Sequence, residues 1–152
     1  MTYGVMFYVE KDYTTSSKKF AELLKEINVE EYIWNISESD FYNRENLQSI
    51  LEKKQILKGE KIMEELECDV MMIWISLEGY KNESDILESN STFSSYFESK
   101  CETAVFVVDT YMFSVYSKNE DILNKAIEFA KNNYTEKIEI IGNENADWFF
   151  GV

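Results

Sequence analysis

The alternation of hydrophobic and polar residues predicts a series of short strands and amphipathic helices. Residues 3–9 are rich in aromatic and β-branched side chains, which favour a first strand. Apolar residues then recur at intervals of three and four, as on one face of a helix: Phe20, Leu23, Leu24 and Ile27. Residues 31–36 alternate between apolar and polar side chains and predict a second strand.

The middle of the chain has a less regular pattern. Residues 37–46 are polar and predict a loop, and residues 47–66 have imperfect helical spacing, which predicts one helix kinked at Gly59 or two short helices. Residues 70–75 are continuously apolar, which is typical of a central strand covered on both faces. Residues 76–90 predict an acidic loop, and a short helix is expected after Ser91.

The C-terminal third predicts a hairpin, a helix and a last strand. Residues 104–108 and 112–116 form the hairpin, and the sequence of residues 117–120 matches a capping box that opens the helix. Residues 138–141 predict another strand, and residues 148–150 a short strand or a packed tail. Together the elements predict one α+β domain over residues 1–152, with a mixed β-sheet of five to six strands and three to four helices packed on it.

The net charge bears most directly on function. The 152 residues include 29 acids and 15 bases, so the net charge is −14. Residues 60–109 hold twelve acids and three lysines, so this third of the chain carries a net charge of −9 out of −14. This charge disfavours binding to nucleic acid or to an anionic membrane and favours a basic protein partner. A solvated surface that only keeps the protein soluble is the alternative.

The sequence shows no familiar catalytic or cofactor motif. The absence of histidine removes histidine-based catalytic dyads and metal sites. The five scattered glycines form no phosphate-binding loop, and Cys68 and Cys101 are too few for a zinc site or a disulfide framework. We therefore predict no catalytic, cofactor-binding or metal-binding residues and no enzymatic activity. No apolar run is long enough to span a bilayer, and a cytoplasmic location is expected.

Several hydrophobic segments resemble those of an uncharacterised domain family of Firmicutes bacteria. They are residues 101–109, which lead directly into residues 111–116, together with residues 4–7 and 32–36. The resemblance extends over most of the chain and is weakest over residues 37–68. It implies a cytoplasmic bacterial protein and brings no established active site.

The leading hypothesis is an immunity protein or antitoxin that covers the active site of a basic toxin, for example a nuclease. A negative face would find a phosphate-binding cleft quickly and compete with its substrate. One alternative is a phage-type mimic of nucleic acid that inhibits a DNA-binding protein, and another is an enzyme that uses carboxylates and a divalent metal. The predicted partner-binding residues are Glu64, Glu65, Glu67, Glu78, Tyr80, Glu83, Asp85 and Glu88.

Overall fold

The structure, a computed structural model, describes residues 1–152 and contains seven strands and four helices. The strands are β1 (Thr2–Tyr8), β2 (Ile33–Asn43), β3 (Ile56–Lys58), β4 (Val70–Tyr80), β5 (Thr103–Val108), β6 (Met112–Ser117) and β7 (Ile138–Gly142). The helices are α1 (Tyr13–Glu26), α2 (Gly59–Glu65), α3 (Phe93–Glu98) and α4 (Glu120–Asn133). The strands form one sheet in the order β3-β2-β4-β5-β6-β1-β7.

The α+β class is confirmed, whereas the predicted mixed sheet of five to six strands is wrong. Every strand pair is antiparallel, and the number of strands is seven. The strand–helix order along the chain suggested parallel crossovers, but β1 pairs with β6 and β7, far from it in sequence. Such long-range pairing leaves no periodic signal in the sequence, which explains the error.

One face of the sheet, here called the helix face, carries the larger hydrophobic core. Helices α1 and α4 pack on it through their apolar stripes, which include Phe20 of α1 and Phe129 of α4. The rings of Phe20 and Phe113 lie 5.9 Å apart, and those of Phe7 and Phe129 lie 6.0 Å apart, in edge-on contacts. Such pairs add about 1 kcal/mol each beyond the burial of apolar area.

The other face, here called the loop face, carries a smaller core made of aromatic side chains. It is covered by α3, by an acidic loop at residues 81–92, and by the C-terminal tail at residues 143–152. Phe150 of the tail lies over Phe106 and Tyr116, with ring centroids 4.7 and 5.0 Å apart. Of the two predictions for residues 148–150, the packed tail is confirmed, since no strand forms there.

The predictions for the middle of the chain are partly wrong. Strand β2 continues to Asn43 and β4 to Tyr80, where loops were expected, and only the second half of the predicted 47–66 helix is helical. In the first half, Leu47, Leu51 and Lys54 have positive φ values, which a right-handed helix does not allow. That segment instead runs along β2, and the backbone N–H of Ile50 donates to the carbonyl of Phe41 at 3.1 Å.

Gly59 begins a helix and does not kink one. A side chain at this position would collide with the backbone carbonyl of Val29, so only glycine allows α2 to lie this close to the turn at residues 29–31.

The start of α4 also differs from the prediction, because Asn119 and not Ser117 is its N-cap. The side chain of Asn119 accepts a hydrogen bond of 3.2 Å from the backbone N–H of Ile122. None of the four helices is long and apolar enough to cross a membrane.

Candidate protein-binding surface

The eight predicted partner-binding residues do not form one surface. Glu64, Glu65 and Glu67 belong to α2 and the turn after it, and α2 packs through Ile62 into the core of the helix face. The other five residues lie at the end of β4 and in the acidic loop, which packs through Ile86 on the loop face. The two groups are therefore on opposite sides of the sheet.

The acids near α2 are partly used within the fold. Glu65 accepts a hydrogen bond of 3.0 Å from the backbone N–H of Leu51 and so fixes the segment that runs along β2. Glu64 forms an exposed ion pair of 3.3 Å with Lys61, one helical turn away. Only Glu67 is exposed without an ion pair or hydrogen bond to a side chain.

Glu78 and Tyr80 are buried and support the acidic loop from beneath. Glu78 has no solvent exposure and accepts hydrogen bonds from the backbone N–H of Asn90 at 2.8 Å and from the side-chain amide of Asn35 at 3.2 Å. No lysine or arginine lies within ion-pair distance of its carboxylate. Burial raises the pKa of Glu78, and the hydrogen bonds from Asn90 and Asn35 counteract part of that rise.

The acidic loop and α3 enclose a groove on the loop face. Its volume is about 760 Å³. It is lined by Tyr80, Ser84, Asp85, Leu87, Glu88, Asn90, Glu98, Ser99 and Lys100. Three of the predicted residues, Tyr80, Asp85 and Glu88, therefore come together here, with Glu83 in the turn that leads into the groove. We call this feature the acidic groove.

The acidic groove combines unpaired charge with exposed apolar surface. Asp85 forms an ion pair of 3.3 Å with Lys100, whose side chain is 77% exposed. Glu88 and Glu98 are exposed and form no ion pair, so they are available to an external cation. Leu87 is 86% exposed, whereas the adjacent Ile86 is half-buried against the core of the loop face. Charged rims around exposed apolar residues are typical of protein interfaces.

Sequence reasoning missed Glu98 and Asn90. Asn90 is the residue whose backbone holds the loop to Glu78, and Glu98 is the last residue of α3. The helix expected after Ser91 could have indicated that Glu98 belongs to this surface. The chain had to return from the end of that helix towards the strand at residues 104–108, and this brings Glu98 near the sheet. Nothing in the sequence indicated that Asn90 would lie over the buried Glu78.

The two cysteines and the remaining acids form no further site. Cys101 is buried and Cys68 half-buried, and burial raises the pKa of both thiols. No group of three or more Cys, Asp or Glu side chains converges in a way that could hold a metal ion.

The chain is similar to one curated bacterial protein and to one family of proteins. The curated relative is the uncharacterised protein YncE of Bacillus subtilis (strain 168), which is 22% identical over 149 residues, or 95% of each chain. No solved structure matches the chain. The model of the family described as "Protein of unknown function (DUF2691)" matches residues 2–148, which confirms the resemblance inferred from the hydrophobic segments. The chain therefore belongs to the DUF2691 family.

Proposed function

We propose that the protein is an inhibitory binding protein, of the immunity-protein or antitoxin type, that acts in the cytoplasm on a basic toxin. The observation that carries this proposal is the acidic groove, in which Glu88 and Glu98 have no cation of their own and lie beside the exposed Leu87. Together they match a partner surface in which basic side chains surround an apolar one. The net charge of −14 adds long-range attraction to such a surface.

The arrangement of the groove favours a rigid contact surface. Glu78 ties the acidic loop to the sheet through Asn90, and α3 begins with a capping box formed by Thr92 and Ser95. A surface that is already ordered loses less conformational entropy when a partner binds. These hydrogen bonds therefore favour binding of the groove to a complementary partner surface.

Binding should depend on the groove and not on total charge. We propose affinity capture from lysate of the native bacterium, with the wild-type chain and a double variant Glu88→Lys with Glu98→Lys as baits. The matched control is Glu10→Lys with Glu128→Lys, which changes the net charge equally at two exposed residues outside the groove. A basic protein retained by wild type and control, lost with the groove variant, and neutralised in a growth assay would support the proposal.

Two results would contradict the proposal. One is that the wild-type bait retains no basic protein, and the other is that all three baits retain the same proteins. The nucleic-acid mimic and the metal-dependent enzyme remain hypotheses without a specific observation in their favour. Calorimetry with Mg²⁺, Mn²⁺ and Ca²⁺ tests the second of these directly.

A further inference from the structure

Strand β7 is an edge of the sheet, and its outer backbone groups have a distinctive arrangement. The backbone of Tyr8 donates to the carbonyl of Lys137, so alternate β7 residues from Lys137 onwards bond to β1. The backbone N–H and C=O groups of Ile138, Ile140 and Gly142 consequently point away from the sheet. Unpaired groups of this kind form a template for another strand.

The side chain of Asn145 occupies part of this edge. Its Oδ1 accepts a hydrogen bond of 2.7 Å from the backbone N–H of Gly142, and its Nδ2 donates one of 3.2 Å to the carbonyl of Ile140. A side-chain amide that donates and accepts in this way stands in for one peptide group of a neighbouring strand. No other side chain or loop bonds to Ile138 or to the N–H of Ile140.

The side chains of β7 indicate what kind of strand would fit. Ile138 and Ile140 lie on the helix face, where Ile138 is half-buried and Ile140 is 45% exposed. Glu139 lies on the loop face, where Lys137 forms an ion pair of 3.6 Å with it and leaves room for a second cation on its half-exposed carboxylate. An added strand with apolar residues beside the isoleucines and a basic residue beside Glu139 would therefore satisfy both faces.

The charge around the edge favours a foreign strand over a second copy of the chain. Residues 136–147 contain four acids, Glu136, Glu139, Glu144 and Asp147, and one base, Lys137. Two copies paired through β7 would bring these like charges together, which is unfavourable. An extended basic segment would instead be attracted.

We propose that the β7 edge binds an extended protein segment of alternating apolar and basic residues as an eighth strand, and that Asn145 is displaced when it binds. Main-chain hydrogen bonds to Ile138 and Ile140 supply the contact, as in other cases of strand addition. This surface is separate from the acidic groove and does not depend on the function proposed for it. Because the side chain of Asn145 occupies part of the edge, a strand that binds there must replace its hydrogen bonds, and this disfavours pairing with strands of other patterns.

The test uses the full-length ¹⁵N-labelled chain and a blocked six-residue peptide of alternating valine and lysine. We expect amide shifts at Ile138, Ile140 and Gly142, and no binding of the same peptide after N-methylation of all of its backbone amides, which blocks both edges of the peptide. Asn145→Ala should bind the peptide roughly tenfold more tightly, because the two hydrogen bonds of the Asn145 side chain to the edge no longer have to be broken. Ile140→Lys should weaken binding, since it adds a like charge beside the peptide.

Several outcomes would overturn the proposal. They are equal binding of the plain and N-methylated peptides, shifts confined to residues 81–92, or no shift at millimolar peptide. Self-association of Asn145→Ala without peptide would identify a second copy as the occupant and would also overturn it. The comparison of the two peptides uses the wild-type chain, so it is informative even if a variant fails to fold.

Discussion

The buried carboxylate of Glu78 accepts a hydrogen bond of 2.8 Å from the backbone N–H of Asn90 and thereby ties the acidic loop to β4. Its hydrogen-bond partners are neutral: the side chain of Asn35 and the backbone N–H of Asn90 both donate to the carboxylate. The side chain of Asn35 also donates to the hydroxyl of Ser89 at 3.3 Å. A charged group in such a site is costly unless it is fully compensated by hydrogen bonds. The position of the loop therefore depends on one carboxylate that is unfavourable in its charged form.

Ionisation of Glu78 should make the protein less stable as the pH rises. Burial raises the pKa of Glu78 in the folded chain, so the folded state holds a proton that the unfolded state has already released. The stabilising contribution of the protonated form is complete below the pKa of unfolded glutamate. It is lost as the pH rises through the higher pKa of the folded state.

Glu78→Gln should remove this dependence and stabilise the fold at pH 8 by about 1 kcal/mol, because the buried charge is gone and Asn35 can turn its amide so that its Oδ1 accepts a hydrogen bond from the new NH₂ group. The exposed Glu98→Gln is the matched control, for which we expect a change below about 0.5 kcal/mol. Urea unfolding of the three proteins between pH 5 and pH 8 measures the difference. A Glu78→Gln variant that is less stable than wild type at pH 8 would show that the charged form is fully compensated.

Phe150 should contribute far more to stability than Trp148, although both are large aromatic residues of the tail. Phe150 packs on Phe106 and Tyr116, whereas Trp148 is 72% exposed. We expect Phe150→Ala to cost about 2–4 kcal/mol and Trp148→Ala less than about 0.5 kcal/mol. Thermal unfolding followed by circular dichroism distinguishes them, and equal losses would mean that the tail does not hold the core of the loop face.

Asn119 should be the residue whose side chain starts α4. Loss of its hydrogen bond to the N–H of Ile122 in Asn119→Ala should cost about 1 kcal/mol. Asn124→Ala, at an exposed site inside the same helix, should be neutral or stabilising by up to about 0.5 kcal/mol, because alanine has the higher helix propensity. The prediction fails if denaturant unfolding gives both variants the same change.

Binding through the acidic groove should weaken steeply with salt. Glu88 and Glu98 are exposed, so their attraction for a basic partner is screened over about 10 Å at 0.1 M ionic strength. Raising the salt concentration from about 0.05 to 0.5 M should mainly slow association, which surface plasmon resonance measures with the captured partner. Unchanged association rates would indicate that an apolar contact, centred on Leu87, dominates.

The elements with strong local patterns could be predicted from the sequence. The hairpin of β5 and β6 and the stripes of α1 and α4 lie where the spacing of residues such as Phe20 and Ala126 placed them. Their signals are local, because each depends on residues within one or two turns or one short connection. Long-range features, such as the position of β1 between β6 and β7, carry no comparable signal.

The candidate surface was only partly predictable, for two physical reasons. Glu78 and Tyr80 flank Gly79 in a stretch of mostly polar and acidic residues that predicted a loop, but β4 extends through them because both neighbouring strands continue beside it. The direction of a charged side chain is also invisible in the sequence. Glu64 and Glu88 both stand in acidic stretches, yet they lie on opposite sides of the sheet.

The place of β1 in the sheet has a consequence for synthesis. A ribosome delivers Thr2–Tyr8 well before its partners Met112–Ser117 and Ile138–Gly142, which emerge more than 100 residues later. During that interval Val5, Met6 and Phe7, all without exposure in the finished protein, have no strand to pair with. A nascent chain that stops before β6 would thus display an apolar strand with two open edges, which is a substrate for chaperones and a starting point for aggregation.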